Sequence, residues 1–211
     1  MKKILLFLSA FIFFINVRAE TITRYSTSAV LLEKSTGKIL YELESTKESP
    51  PASMTKIMSM ILIMDLIKED KLSFNDDVVI SENASNMGGS QVYLNTNETY
   101  KVKDLLKSVA IASANDAVVA LAEKTYGTEE EFVKQMNKKC KDIGCKNTNF
   151  VNPHGLDAEG HYSSSYDMAL MARYLLTNHE DILKFTSIYE DYLKRPDGTQ
   201  TWLVNTNKLV C

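Results

Sequence analysis

Cysteine and histidine are scarce in this chain, with three of each among 211 residues. Cys140, Cys145 and Cys211 are odd in number, and together with the histidines they do not show the spacing of a metal-ligand set. Cys140 and Cys145 could pair in an exported protein, but no disulfide framework is indicated, and buried or free thiols are the favoured interpretation. The composition therefore points away from metal-binding and disulfide-stapled modules, and towards one ordinary globular domain.

The chain also lacks an excess of positive charge, since 24 Lys and Arg stand against 27 Asp and Glu and the formal net charge is -3. Lys2 and Lys3 precede an apolar run over residues 4–17, and Val17-Arg18-Ala19 is an acceptable small-residue cleavage site. These features predict a signal peptide over residues 1–19, whose removal would bring the charge to about -6. The apolar run is short for a membrane span, so an uncleaved anchor is the less favoured alternative. We expect an exported protein, with no electrostatic reason to bind nucleic acid.

Internal repeats and low-complexity tracts are absent from the rest of the chain, whose patterns predict an alternation of short strands and helices. Residues 28–33 and 38–44 are typical of two strands joined by a turn at Ser35-Thr36-Gly37. From Ser53 to about residue 67 the chain is apolar nearly all round, which predicts a buried helix. Its methionines, Met54, Met58, Met60 and Met64, are most simply interpreted as core packing.

Further along the chain, residues 72–99 read as irregular with short strands at most. Helical periodicity follows over residues 102–112, 116–126, 129–143 and 166–176, with a possible short helix at 182–185. Residues 189–193 and 201–204 predict a second hairpin.

Ser53-Met54-Thr55-Lys56 lies where a proline-containing connector meets the predicted buried helix. A serine at a helix start is ordinarily an N-cap, but the residue three positions later is then favoured as Glu or Gln, and a cation there opposes the helix dipole. Capping therefore leaves Lys56 unexplained. Residues three apart share a helix face, so the Lys56 amine can reach the Ser53 hydroxyl and act as the base that activates a nucleophile.

A second Ser-x-x-Lys occurs at Ser35-Thr36-Gly37-Lys38. About one chance match is expected in a chain of this length, so the motif alone does not identify a nucleophile. Its glycine and the alternating apolar stretches on both sides mark a hairpin turn. The context therefore favours Ser53 over Ser35 as the nucleophile.

Ser113-Ala114-Asn115 separates two predicted helices. Alone, it would be interpreted as a turn in which Ser113 or Asn115 caps the next helix, and a similar Ser81-Glu82-Asn83 occurs earlier. Its pairing with Ser53-x-x-Lys56 changes the interpretation, because Ser-x-x-Lys followed by Ser-x-Asn is the active-site pattern of penicillin-binding proteins and serine β-lactamases.

Several segments, in the same order along the chain, resemble the low-molecular-weight penicillin-binding proteins that are serine-type D-alanyl-D-alanine carboxypeptidases. The resemblance covers nearly all of the chain after residue 19, and family members commonly carry Gly where Ala114 stands. It implies an α+β fold of the penicillin-binding-protein and β-lactamase type, with an antiparallel sheet flanked by helices and a mostly helical region over about residues 72–178. The segments are Pro51-Ala52-Ser53-Met54-Thr55-Lys56, Met87-Gly88-Gly89-Ser90, Ser113-Ala114-Asn115-Asp116-Ala117, Asn152-Pro153-His154-Gly155-Leu156-Asp157 and residues 162–167.

The resemblance also implies a chemistry. Ser53 would attack a peptidoglycan stem peptide ending in D-Ala-D-Ala, with Lys56 as the base, Ser113 as a proton relay and Asn115 as a substrate-binding residue. No metal or organic cofactor would be needed, and β-lactam antibiotics would acylate Ser53. By this resemblance, the protein would act in the cell envelope, outside the cytoplasm, in peptidoglycan biosynthesis and cell shape. Two alternatives remain open, a β-lactamase-like hydrolase and a non-catalytic module that binds penicillin or peptidoglycan.

The third element of this active-site pattern, Lys-Thr-Gly, does not occur in the sequence. By resemblance, it would supply the strand beside the site, the cation that holds the substrate carboxylate and one oxyanion-hole amide. The chain is therefore expected to be a truncated member that lacks its last sheet strands and is inactive or weakly active. A C-terminal segment for membrane association would also lie beyond it. His154 and His161 fit no triad or zinc pattern and are interpreted as hydrogen-bonding loop residues.

Overall fold

The structure is a computed structural model that describes residues 25–210. The predicted signal peptide at residues 1–19 lies outside the described residues, and so does Cys211. The first elements are the antiparallel strands β1 (Ala29–Leu32) and β2 (Ile39–Leu43). Gly37, with φ at +74°, makes the turn between them, because a residue without a Cβ adopts this conformation freely. The predicted first hairpin is confirmed.

A 3-10 turn (Ala52–Thr55) leads directly into helix α1 (Lys56–Lys68). Met58 and residues 59–64 of α1 are buried, and the helix packs against α4 (Asn115–Tyr126), α5 (Glu129–Ile143) and α6 (Ser165–Asn178). A helix surrounded in this way buries apolar side chains on every face, so the buried helix is confirmed. The exception is Met54, which the sequence assigned to the core but which is 54% exposed beside Ser53.

Between α1 and α4 the chain forms a short antiparallel pair, β3 (Asp77–Val79) and β4 (Thr99–Lys101), with a single-turn helix α2 (Glu82–Ser85) between the two strands. Helix α3 (Val102–Ala112) follows β4. The sequence predicted short strands in this stretch but missed α2, because a helix of four residues is too short to show a period.

After α6 come a 3-10 turn (Glu180–Ile182), helix α7 (Leu183–Thr186) and the hairpin β5 (Glu190–Lys194) and β6 (Gln200–Val204). Leu193 and Leu203 are the buried residues of this hairpin, which packs against α3. Within residues 25–210 the three strand pairs form three separate two-stranded sheets. Helix α6 covers β1, and the α+β fold with helices flanking antiparallel strands is confirmed.

None of the helices between residues 25 and 210 combines the length and apolar character needed to cross a membrane. In the same range, no cluster of three or more His, Cys, Asp or Glu side chains is arranged to hold a metal ion.

Candidate active site

Ser53 and Lys56 meet at the junction of the 3-10 turn and α1. Lys56 Nζ lies 3.2 Å from Ser53 Oγ, close enough for a hydrogen bond between the two side chains. The turn preceding α1 makes no side-chain cap bond, so the capping interpretation of Ser53 is wrong for this structure. The Ser53 N–H lies in the first turn, where backbone N–H groups have no intrahelical acceptor.

Burial sets the protonation of Lys56. The residue is only 3% exposed, and desolvation lowers the pKa of its amine to about 8. Burial acts in this direction because it penalises the charged ammonium form. Lys56 Nζ also donates a hydrogen bond of 2.7 Å to the backbone oxygen of His154. A lysine with a lowered pKa and a fixed amine, beside a hydroxyl, can accept the proton of that hydroxyl.

The competing Ser-x-x-Lys has a different environment. Ser35 lies in the turn between β1 and β2, where its hydroxyl donates to Glu33 Oε1 at 2.7 Å. Thr36 donates to the same carboxylate through its hydroxyl and through its backbone N–H. These bonds, above all the one from the Thr36 side chain, lower the pKa of Glu33 to about 2. Ser35 therefore belongs to a hydrogen-bonded turn.

Ser113 and Asn115 lie at the corner between α3 and α4. Ser113 has a left-handed backbone with φ at 56°, and Ala114 is the N-cap residue of α4 without a side-chain cap bond. The capping interpretation is therefore wrong here too. By contrast, Ser81 accepts a bond of 2.9 Å from the Ala84 N–H as the N-cap of α2. A non-glycine residue in the left-handed region carries strain of a kind that clusters at functional sites.

The Asn115 side chain is 3% exposed and points towards the segment that contains Gly88 and Gly89. Its Nδ2 donates to the Gly88 oxygen at 2.7 Å, and its backbone N–H donates to the Ser90 oxygen at 2.7 Å. Asn115 Oδ1 has no hydrogen-bond partner among the described residues. A buried acceptor without a partner is costly, so this atom is suited to receive a donor from a bound molecule.

Residues 149–156 form the loop that joins these two parts, which we call the His154 loop. An added Cβ at Gly155, where φ is +89°, would lie 1.9 Å from the Ala52 oxygen and 2.9 Å from Thr55 Oγ1. An added Cβ at Gly89 would lie 2.7 Å from Asn115 Nδ2 and 3.3 Å from Leu156 Cδ2. The His154 loop therefore contacts the Ser53 turn on one side and lies close to Gly89 on the other, and Gly89 in turn lies beside Asn115.

The histidines of this region are hydrogen-bonded, as the sequence predicted. His161 Nδ1 accepts the Val151 N–H at 3.0 Å, so its Nε2 carries the proton and donates to Thr55 Oγ1 at 2.8 Å. Burial lowers the pKa of His161. His154 Nδ1 accepts the Leu156 N–H in the same way. These contacts hold the His154 loop in place, so that the His154 backbone oxygen lies beside the Lys56 amine although the two residues are far apart in the sequence.

Two further residues position the segment around Gly89 and were missed by the sequence. Asp116 is fully buried, and its carboxylate accepts the N–H groups of Val92 and Leu94 at 3.1 Å each. Arg195, in the β5–β6 turn, donates to the oxygens of Val92 and Tyr93 at 2.6 and 2.7 Å. In the sequence, the one signal for these contacts is the position of Asp116, an acidic residue directly after Asn115.

The structure thus brings Ser53 and Lys56 into direct contact, and connects Asn115 to them less directly, through Gly88 and Gly89 and then the His154 loop. For Ser113 Oγ, no hydrogen bond to another described residue is present. The sequence profile of the D-alanyl-D-alanine carboxypeptidase family matches residues 16–211. The chain belongs to this family.

Relatives of this D-alanyl-D-alanine carboxypeptidase family member are longer than the chain. It is 54% identical over 193 residues to the D-alanyl-D-alanine carboxypeptidase DacF of Bacillus subtilis, which covers 92% of the chain and 49% of that protein. It is 35% identical to DacC of Escherichia coli, over 80% of the chain and 45% of the relative. The chain therefore spans about half the length of these two proteins.

Solved structures show the same fold. The D-alanyl-D-alanine carboxypeptidase DacD of Francisella tularensis superposes with a TM-score of 0.83 at 33% identity, over 87% of the chain and 45% of that structure. The ampicillin-bound penicillin-binding protein D2 of Listeria monocytogenes gives a TM-score of 0.77 at 27% identity, over 90% of the chain and 76% of that structure. The fold of this family member is therefore that of low-molecular-weight penicillin-binding proteins.

Proposed function

We propose that the whole protein is a serine-type D-alanyl-D-alanine carboxypeptidase in which Ser53 is the nucleophile. The contact between Ser53 Oγ and the buried Lys56 amine, 3.2 Å apart, is the observation that carries this proposal. An ordinary lysine is almost wholly protonated at neutral pH, whereas the lowered pKa of about 8 leaves an appreciable neutral fraction. The neutral amine takes the hydroxyl proton as Ser53 attacks.

The substrate is a peptidoglycan stem peptide that ends in D-Ala-D-Ala. Ser53 Oγ forms a bond to the carbonyl carbon of the penultimate residue, the bond to the terminal D-alanine breaks, and the amine leaves with a proton relayed by Ser113. Water then hydrolyses the acyl-enzyme. The Ser53 N–H, at the start of the turn, is suited to donate to the oxyanion.

Asn115 binds the substrate backbone in this proposal. Its Oδ1 is buried without a partner, and a peptide N–H of the substrate is a donor of the kind that this oxygen lacks. The proposed location is the cell envelope, outside the cytoplasmic membrane, where the stem peptide occurs. β-Lactam antibiotics mimic the substrate and acylate the same hydroxyl.

Mass spectrometry of the whole protein after reaction with penicillin tests the proposal. Trypsin cleaves after Lys47 and Lys56 and releases residues 48–56, which contain Ser49 as well as Ser53. We expect the penicilloyl group on Ser53 and none on Ser49, together with release of D-alanine from a D-Ala-D-Ala peptide. An adduct on another residue, or no D-alanine release, would contradict the proposal. Rapid penicillin turnover without peptide hydrolysis would favour the β-lactamase alternative.

A further inference from the structure

Helix α5 ends in a Schellman motif that contains two cysteines. Gly144 follows the last helical residue with φ at +102°. Its N–H bonds to the Lys141 oxygen at 3.0 Å, and the N–H of Cys145 bonds to the Cys140 oxygen at 2.9 Å. In this motif the residue after the glycine contacts the residue three positions inside the helix end. Here these two residues are Cys145 and Cys140.

The two thiols are neighbours in a partly buried site. Cys140 is 2% exposed, Cys145 is half-buried, and both are free. The hydrogen bond with the Cys140 thiol, together with burial, raises the pKa of Cys145. Cysteines bridge only when their backbones are close, with Cα atoms roughly 4.4–6.8 Å apart. The 2.9 Å backbone hydrogen bond between the same two residues holds them in direct contact.

We propose that Cys140 and Cys145 form an intramolecular disulfide in the exported protein, a covalent closure of the C-terminal end of α5. The oxidant is a disulfide, either glutathione disulfide or the active-site disulfide of a thiol oxidoreductase. One cysteine thiolate attacks it and forms a mixed disulfide, and the second cysteine displaces the oxidant thiol. The two cysteines lose two protons and two electrons, and the oxidant disulfide is reduced to two thiols.

The position of the crosslink connects it to the candidate active site. The buried Asp167 carboxylate accepts the N–H groups of Lys146 and Asn147, at 3.1 and 2.7 Å, directly after Cys145. The His154 loop begins two residues further on. The disulfide would therefore fix the end of α5 next to residues 146 and 147, which Asp167 holds in place. The His154 loop, which reaches Lys56, starts from these residues.

Alkylation and peptide mapping test the proposal without requiring catalysis, so its outcome is independent of the proposed function. A Cys211→Ser background leaves Cys140 and Cys145 as the only cysteines. The folded chain is equilibrated with reduced and oxidised glutathione, then denatured and treated with N-ethylmaleimide. We expect neither cysteine to be alkylated. Trypsin should release residues 140–141 linked to residues 142–146, and this pair should separate on reduction.

Two alkylated cysteines, or two glutathione adducts, would overturn the proposal. Cys145→Ser is the matched control, in which Cys140 should carry one alkyl group or one glutathione. An equal linked fraction in the urea-unfolded chain would also overturn the assignment to the helix end, because the Schellman hydrogen bonds are then absent. The oxidised chain should melt about 4–8 °C above the reduced one, because the disulfide restricts the unfolded chain. Equal melting temperatures would contradict the inference that the folded helix end accepts the disulfide without strain.

Discussion

Replacing Gly155 by alanine should displace the carbonyl group that precedes Ser53, the proposed nucleophile. The new Cβ would lie 1.9 Å from the Ala52 oxygen and 2.5 Å from its carbonyl carbon. Ordinary van der Waals contact requires about 3.5 Å between such atoms, so the two segments must separate by more than about 1 Å. Ala52 directly precedes Ser53, and a misplacement of about 1 Å in an active site costs about a hundredfold in rate.

Gly198 supplies the matched control for this substitution. Its φ is +86°, close to the +89° of Gly155, but nothing lies within 4 Å of its added Cβ. Both variants carry the cost of a left-handed alanine, about 1–2 kcal/mol of unfolding free energy. Only Gly155→Ala adds the steric overlap, so the difference between the two variants measures that overlap.

The assay is the second-order rate of acylation of the whole protein by a fluorescent penicillin, with urea unfolding measured in parallel. We expect Gly198→Ala to acylate at nearly the wild-type rate, and Gly155→Ala to be slower by about a hundredfold or more. If the two variants acylated at similar rates while both remained folded, the His154 loop would be able to withdraw without moving Ser53. The argument from the close approach would then fail.

Three other predictions concern the site and its look-alikes. Ser53→Ala should abolish penicillin labelling on a gel, whereas Ser35→Ala should retain it, and the reverse pattern would show that the choice between the two motifs is wrong. Because burial lowers the pKa of Lys56 to about 8, the acylation rate should rise with pH and level off above about pH 8, and Lys56→Arg should be slow throughout because its guanidinium stays protonated. A flat wild-type profile would count against Lys56 as the base. Ser81→Ala should lower the unfolding free energy by about 1 kcal/mol through loss of the α2 cap, with the acylation rate unchanged, and a slowed reaction would mean that Ser81 does more than cap.

The sequence predicted those parts of the fold that a local pattern determines. The α1 helix is apolar on all faces, and the β5–β6 hairpin alternates around a turn with Gly198, so each pattern identifies its own element. Ser53 and Lys56 were predictable for the same reason, since three residues along a helix bring them together whatever surrounds them.

Contacts through the backbone were not predictable in this way. The acceptor for the Lys56 amine is the main-chain oxygen of His154, and every residue type carries such an oxygen. The exposure of Met54 was likewise missed, because hydrophobicity alone does not tell a core methionine from an exposed one beside Ser53. Asp116 was visible in the sequence, but the N–H groups of Val92 and Leu94 that donate to its carboxylate are brought to it only by the fold.

The hydrogen bonds that surround Ser53 also determine when the site can assemble during folding. They join Lys56 to His154, Ser59 to Pro153 and Thr55 to His161, pairs that are 98, 94 and 106 residues apart in the chain. Closing loops of this length carries an entropy cost that local helix formation avoids. Helix α1 can therefore form early, while the lysine amine gains its fixed acceptor only after residue 154 has been synthesised and docked. Under the proposed mechanism, Ser53 would remain inactive on a partly folded chain, and competence for acylation would report completion of tertiary structure.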